Sequence, residues 1–405
     1  MTTPLVAHGQ LTGLYDLSEI GRDAQRGGYS RHLWDPADLE MREWFIERAR
    51  RIGLDVEQDR NGNLWAWWGT PGTNAVAVGS HLDSVPGGGA YDGPLGVVSA
   101  LEAVARLKVS GLIPTRPIAV VAFAEEEGSR FGLACLGSRL MTGEVDPAYA
   151  RQLTDRNGIS LERAAQAAGV NPAHFGPDPQ SLGRIALFIE LHVEQGRGLI
   201  DLDSPLAMAS SILAHGRWRL SINGQGNHAG TTGMEHRRDP VLAAARAVIA
   251  VNDTARTHAG TRATVGRLEV VPGGTNVIAS QVNAWIDARG ETDASTRSLV
   301  EEIRANVTSA LRLTGCDASI TEESWNGTVH FDSETTGSLA EAIAGVPLLP
   351  TGAGHDAGIL AGHVPSAMLF VRNPTGISHS PEEFAEVDDC VAGVQALQAM
   401  LRSVL

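Results

Sequence analysis

Apolar residues recur along this chain in two textures. Around residues 76–79, 117–124, 185–189 and 367–371 they form short unbroken runs (VAVG, PIAVVAFA, IALFI, AMLFV), the pattern of strands covered on both faces. Between these runs the spacing changes to three and four. Val97, Val98 and Leu101 predict a helix ending near Lys108. Met41, Trp44, Phe45 and Ile52 predict helix within residues 18–54, where Asp35-Pro36 supplies a start signal. Further helices are expected at residues 146–169, 339–344 and 387–401, and a hairpin turn and strand at residues 61–68. Buried strands alternating with helices specify an α/β fold, a largely parallel sheet sandwiched by helices.

Near residue 210 the texture changes. Residues 217–222 (RWRLSI) alternate polar and apolar, as a half-exposed strand does. A helix at 240–252, strands at 264–271 and 277–288, a helix at 296–313 and a strand at 319–323 follow. That order, βαββαβ, is the ferredoxin-like α+β arrangement. The simplest organisation is a catalytic domain built from residues 1–211 and 327–405, with a second domain, 212–326, inserted into it.

Length agrees, since 405 residues exceed the usual single core. A net charge of -15 with no basic cluster argues against a nucleic-acid partner. Cys135, Cys316 and Cys390 are widely spaced and odd in number, which suits a reducing compartment. The N-terminus lacks a basic, then apolar, leader pattern, and no apolar run approaches the ~18 residues of a membrane span. A cytoplasmic protein without membrane partners is the expectation. Lys108 is the sole lysine and Val109 follows it, so a Walker A motif is impossible.

The informative polar residues stand just past the buried runs: His81, Asp83, Asp92, Glu126, Glu127, His192 and His379. Imidazoles and carboxylates without thiolates suit a borderline divalent cation. Five potential ligands exceed what one catalytic zinc takes, so two metals sharing one carboxylate is the economical reading, with Asp92 the candidate bridge. Gly224 to Ala229 fits G-x-G-x-x-A, but the strand before it alternates instead of being buried, against a nicotinamide site. No G-x-S-x-G elbow and no H-E-x-x-H motif exists.

Taken in series, Gly79-Ser80-His81-Leu82-Asp83, Asp92-Gly93, Glu125-Glu126-Glu127-Gly128-Ser129-Arg130-Phe131, Glu190-Leu191-His192-Val193-Glu194-Gln195-Gly196, Asn227-His228-Ala229-Gly230-Thr231-Thr232, Gly354-His355-Asp356 and Ser378-His379-Ser380 resemble the hydantoinase/carbamoylase family of dinuclear metal amidohydrolases. This family lies within the aminoacylase-like metallopeptidases. The resemblance runs from about residue 17 to 401. It implies two divalent ions per subunit (zinc, manganese, cobalt or nickel), one held by His81, Asp92 and His192, the other by Asp92, Glu127 and His379. It makes Glu126 the general base, Asp83 the residue that orients His81, and His228 an oxyanion donor. Gln195, Asn276, Arg289 and Gly358 fall at substrate-contacting positions, Arg289 and Asn276 receiving a carboxylate. It also implies that the inserted domain is a lid and makes a homodimer.

Three departures alter no ligand: Gly233 after Gly-Thr-Thr, Ser210-Ser211-Ile212-Leu213 at the hinge, and Arg372-Asn373-Pro374-Thr375 before the last histidine. The activity implied is removal of the carbamoyl group from an N-carbamoyl-L-amino acid, giving the amino acid, ammonia and carbon dioxide. Allantoate is the nearest alternative substrate, then N-carbamoyl-β-alanine and an N-acyl or peptide bond. From other classes, a silent metal-stabilised binding protein would not need Glu126, and a nicotinamide enzyme would need the Gly224 motif.

Overall fold

The computed structural model describes residues 11–405, so the first ten residues of the N-terminal stretch read for a leader lie outside the described residues. Two compact units emerge, one made of Met1–Ser210 and His330–Leu405, the other of Ser211–Val329. In chain order the strands begin with β1 (Asp55–Gln58), β2 (Leu64–Trp68), β3 (Ala75–His81), β4 (Ile118–Phe123), β5 (Ile185–Val193) and β6 (Leu206–Ile212). The second unit holds β7 (Ala214–Asn223), β8 (Asn227–His228), β9 (Thr261–Val271), β10 (Val277–Ile278), β11 (Gln281–Gly290) and β12 (Asp317–Asn326). Then come β13 (Val329–His330), β14 (Leu348–Thr351) and β15 (Ser366–Val371).

In the first unit β4, β3, β5 and β15 run parallel at the centre of the sheet. The antiparallel strands β1, β2 and β6 flank them. Every residue of β3, β4 and β15 is buried, as their unbroken apolar runs require. The period of two then sorts the faces. Leu187, Ile189, Leu191 and Val193 of β5 join the core shared with the Pro94–Val109 and Val387–Ser403 helices. Phe188, Glu190 and His192 point the other way, where Trp65, Phe123 and Phe188 pack edge to face.

The second unit is a four-stranded antiparallel sheet in the order β12-β7-β11-β9. The Pro240–Thr257 and Asp293–Leu311 helices pack on one face through Ala243, Ala247, Leu299 and Ile303.

Two local expectations need correction. Residues 18–35 are not helical: only Leu17–Glu19 makes a 3-10 turn, and helix begins at Pro36, capped by Asp35. Gly21, Gly27 and Gly28 adopt positive φ there, a conformation glycine favours and a helix does not use. Residues 146–169 form two helices, Pro147–Gln152 and Leu161–Ala167, separated by a turn in which Asp155 receives the amides of Asn157 and Ile159.

Candidate metal centre and active site

The predicted polar residues of the first unit meet at the carboxyl ends of the parallel strands, where open α/β sheets hold ligands. His81 ends β3, Glu125 to Glu127 follow β4, and His192 lies one residue from the end of β5. Asp92 comes from the turn before the Pro94–Val109 helix, and His379 from the loop after β15. Gly93 adopts φ 83°, and a Cβ there would lie 2.4 Å from the His81 ring, so glycine is what lets the turn close over the imidazole.

Asp92 is the hub. Its Oδ1 lies 3.2 Å from His192 Nε2 and 3.6 Å from His81 Nε2, while its Oδ2 lies 3.4 Å from His379 Nε2. His379 Nε2 is also 3.5 Å from Glu127 Oε2. Two donor groups therefore share one carboxylate, His81–Asp92–His192 and Asp92–Glu127–His379, each with its ligand atoms within 4.8 Å of one another. The first group is wholly buried, whereas the His379 side chain is 49% exposed.

This arrangement fits a cation. His81 Nδ1 lies 3.0 Å from the Asp83 carbonyl and His192 Nδ1 lies 2.9 Å from the Val193 carbonyl, which assigns the ring proton to Nδ1 in both. Their Nε2 lone pairs then face each other across 3.4 Å, beside carboxylate oxygens. Glu127 Oε1 is buried without a hydrogen-bond partner. Acceptors converging on acceptors in a buried space call for positive charge between them.

Electrostatics registers the same demand for positive charge, since the site draws protons onto its carboxylate and imidazole. Burial, with Asp92 and Glu126 as neighbours, pushes Glu127 well above the usual carboxylate range. Burial opposes charge on His81, yet Glu126, Asp92 and Asp83 together hold it well above an ordinary imidazole.

Asp83 meets the His81 ring through its backbone carbonyl, and its carboxylate has other work. Its carboxylate stands 3.7 Å from His81 Nδ1, farther than its own carbonyl. Its two oxygens accept the backbone amides of Glu126 and Glu127, at 3.1 Å each, and so tie the end of β3 to the loop after β4. Glu126 Oε2 is 3.6 Å from His81 Nε2, and its other oxygen is 3.5 Å from the Cys135 thiol. Glu125 turns inward and accepts the amides of Arg130 and Phe131.

Gln195 also reaches the centre, its amide nitrogen 2.9 Å from Asp92 Oδ2. The Gly358 amide is committed to the His355 carbonyl in a buried turn. His355, quoted in the Gly354-His355-Asp356 motif but given no role from the sequence, is 2% exposed, packs 4.5 Å from the His192 ring and leaves both ring nitrogens without hydrogen bonds. Burial and the neighbouring His192 drive its pKa well below that of a free imidazole. Glu190 was missed as well: it accepts from Ser80 Oγ and the Ala357 amide, beside His192 and His355. Position was the available signal, since Glu190 is two residues before His192 and so on the same face of β5.

Within the second unit, β8 pairs with β10, setting His228 opposite Val277 and next to Asn276, whose carbonyl accepts the Ala229 amide. Arg289 lies near the opposite end of β11, its fork closed on both oxygens of Asp287 at 2.7 and 3.1 Å. From Gln281, beside the His228 ribbon, to Arg289 is eight residues of strand, about 26 Å. The unit thus brings His228 and Asn276 together and keeps Arg289 apart from both. Among the described residues no helix is long and apolar enough to cross a membrane.

Comparison with known proteins matches this architecture. The model of peptidase family M20/M25/M40 fits residues 77–403. The chain is 37% identical over 397 residues to an N-carbamoyl-L-amino acid amidohydrolase of Geobacillus stearothermophilus, covering 95% of each. It is 34% identical over 394 residues to the allantoate amidohydrolase of Escherichia coli strain K12, again covering 95% of each. The crystal structure of a hydantoinase/carbamoylase-family amidase from Burkholderia vietnamiensis superposes with a TM-score of 0.86 and 30% identity, over 96% of this chain and 95% of that one.

Proposed function

The chain belongs to peptidase family M20/M25/M40, and we propose that it is an N-carbamoyl-L-amino-acid hydrolase: a metal-dependent enzyme that cleaves the ureido C–N bond and releases amino acid, ammonia and carbon dioxide. Its relatives are amidohydrolases acting on C–N bonds, and a ureide-type amidohydrolase is the reading they support. The observation that carries it is the double donor group around Asp92 with a buried glutamate beside it.

In this reading His81, Asp92 and His192 hold one divalent ion and Asp92, Glu127 and His379 a second. Bound there, such ions acidify water and polarise a carbonyl. Glu126 takes the proton from the attacking water and returns it to the leaving nitrogen, a task suited to a carboxyl that burial has pushed up to about 7. Gln195 is placed to steer substrate beside Asp92. His228 is the proposed donor to the developing oxyanion, and Asn276 and Arg289 the proposed recognisers of the substrate carboxylate.

A ureido acid is far shorter than the span from the His228 ribbon to Arg289, so one substrate cannot touch both from a single chain. This supports a homodimer through the second unit, in which each substrate meets residues of two copies. The exposed apolar residues Val241, Leu242 and Ile249 of the Pro240–Thr257 helix and Leu268 and Val270 of β9 supply the face. β9 is an edge strand, of the kind proteins cover.

The test is ammonia release from N-carbamoyl-L-amino acids, allantoate and N-carbamoyl-β-alanine by chelated enzyme resupplied with manganese, cobalt or zinc. Metal-dependent release from carbamoyl amino acids is expected. Release from allantoate alone would reassign the substrate, and silence with metal bound would point to an acyl or peptide bond.

A further inference from the structure

His379 is the most exposed of the proposed ligands. It sits on a loop, its side chain is half exposed, and its backbone adopts φ 56°, a left-handed conformation that a non-glycine residue keeps only when its surroundings hold it. Something must dock this loop against the Asp92 turn, from which it is separated by almost 290 residues of chain.

The structure shows what does so. Glu383 is 5% exposed, and its Oε1 accepts the backbone amides of both Tyr91 and Asp92 at 3.0 Å. Its Oε2 receives the Ser378 hydroxyl at 3.3 Å, and that hydroxyl is also 3.4 Å from Asp92 Oδ2. Space for the carboxylate is made by Gly89, where a Cβ would stand 2.1 Å from Glu383 Oε1. On the His81–His192 side the imidazoles are fixed by carbonyls of their own strand ends, and the carboxylates that tie neighbouring segments there are those of Asp83 and Glu190.

We infer that Glu383 is the positioning residue of the more exposed metal position, clamping the His379 loop to the Asp92 turn so that His379, Asp92 and Glu127 stand at ligand distance of one another. The inference rests on the proposed metal-binding reading. It predicts an asymmetry: loss of the clamp weakens the His379 equivalent most and the other, which shares only Asp92 with it, less.

The test is titration of chelated, metal-free protein with Co²⁺, followed by visible absorbance and by equilibrium dialysis, on wild type, Glu383→Leu, Glu383→Gln and Ser378→Ala. Wild type takes up two equivalents. In Glu383→Leu the weaker equivalent loses affinity by about 10- to 100-fold, the usual cost of removing a residue that orients a ligand, while the tighter one, which shares Asp92, loses clearly less. Glu383→Gln, which keeps one acceptor oxygen, recovers most of the loss, and Ser378→Ala weakens the same equivalent. Equal weakening of both equivalents, or of neither, overturns the inference. Should Glu383→Leu not fold, Ser378→Ala decides by the same criterion. A wild type that binds no Co²⁺ would instead remove the functional reading and leave the clamp as geometry.

Discussion

Glu126 has neighbours that differ from those of Glu127, although the two are adjacent in the chain. Burial raises it, the carboxylates of Asp83, Glu190 and Asp92 raise it further, and His81 pulls against them. Glu127 instead lies within 3.5 Å of His379. If Glu126 is the proton carrier, Glu126→Gln leaves metal content at the wild-type level and lowers kcat by ~100-fold or more. Metal analysis beside steady-state ammonia release checks both halves, and an unchanged rate would remove Glu126 from the mechanism. His81, Glu127 and His192 could be named from sequence because they stand at or just past the ends of apolar runs, whereas Asp92 and His379 lie farther on, in the loops, and were assigned their metals through the family resemblance. The work of Asp83 could not be read that way, because its hydrogen bonds reach amides 43 and 44 residues away, and no local pattern records which loop a strand end will face.

Elements seat these residues by close approach. The Pro94–Val109 helix lies so near the sheet that a Cβ on Gly96 would stand 2.2 Å from the Leu191 carbonyl and 2.7 Å from Ser80 Cβ. Gly96→Ala should therefore cost about 1–3 kcal/mol, because backbone must move, and should disturb the strands that carry His81 and His192. Denaturant unfolding measures the first effect, and metal affinity the second. At the start of the Pro36–Arg51 helix, buried Asp38 accepts the Trp34 amide and meets Arg42 at 2.7 Å. Asp38→Ala strands the Arg42 guanidinium, and a loss of about 3–5 kcal/mol is expected in the same unfolding experiment. Periodicity located both helices and Asp35-Pro36 marked where the Pro36–Arg51 helix begins; what it did not show is that residues 18–35 stay out of helix, with Gly21, Gly27 and Gly28 at positive φ.

At the scale of the whole molecule, the 26 Å between the His228 ribbon and Arg289 sets the question of assembly. Ile249→Asp combined with Leu268→Asp places charge on the exposed apolar face of the second unit and should yield monomer by sedimentation. Mixing Glu126→Gln with His228→Ala subunits tests whether His228 serves the other copy. Random pairing should restore roughly a quarter of wild-type activity, because half the dimers then carry one intact site. No recovery, with exchange verified, assigns His228 to its own chain.

Sequence by itself determined the fold class, the metal-type residues and the chemistry they permit. Short unbroken apolar runs alternating with helical stretches read as strands covered on both faces, and several imidazoles and carboxylates gathered at their ends are hard to explain as packing. Tertiary structure decided the rest. It turned both oxygens of Asp92 toward different histidines, left His355 with two unpaired nitrogens, made the Asp83 carboxylate a splint between loops beside its carbonyl's bond to His81, and set Glu383 across two of them. Each of these facts joins segments remote in sequence, and such contacts are fixed by the packing of helices on the sheet, which local periodicity does not encode.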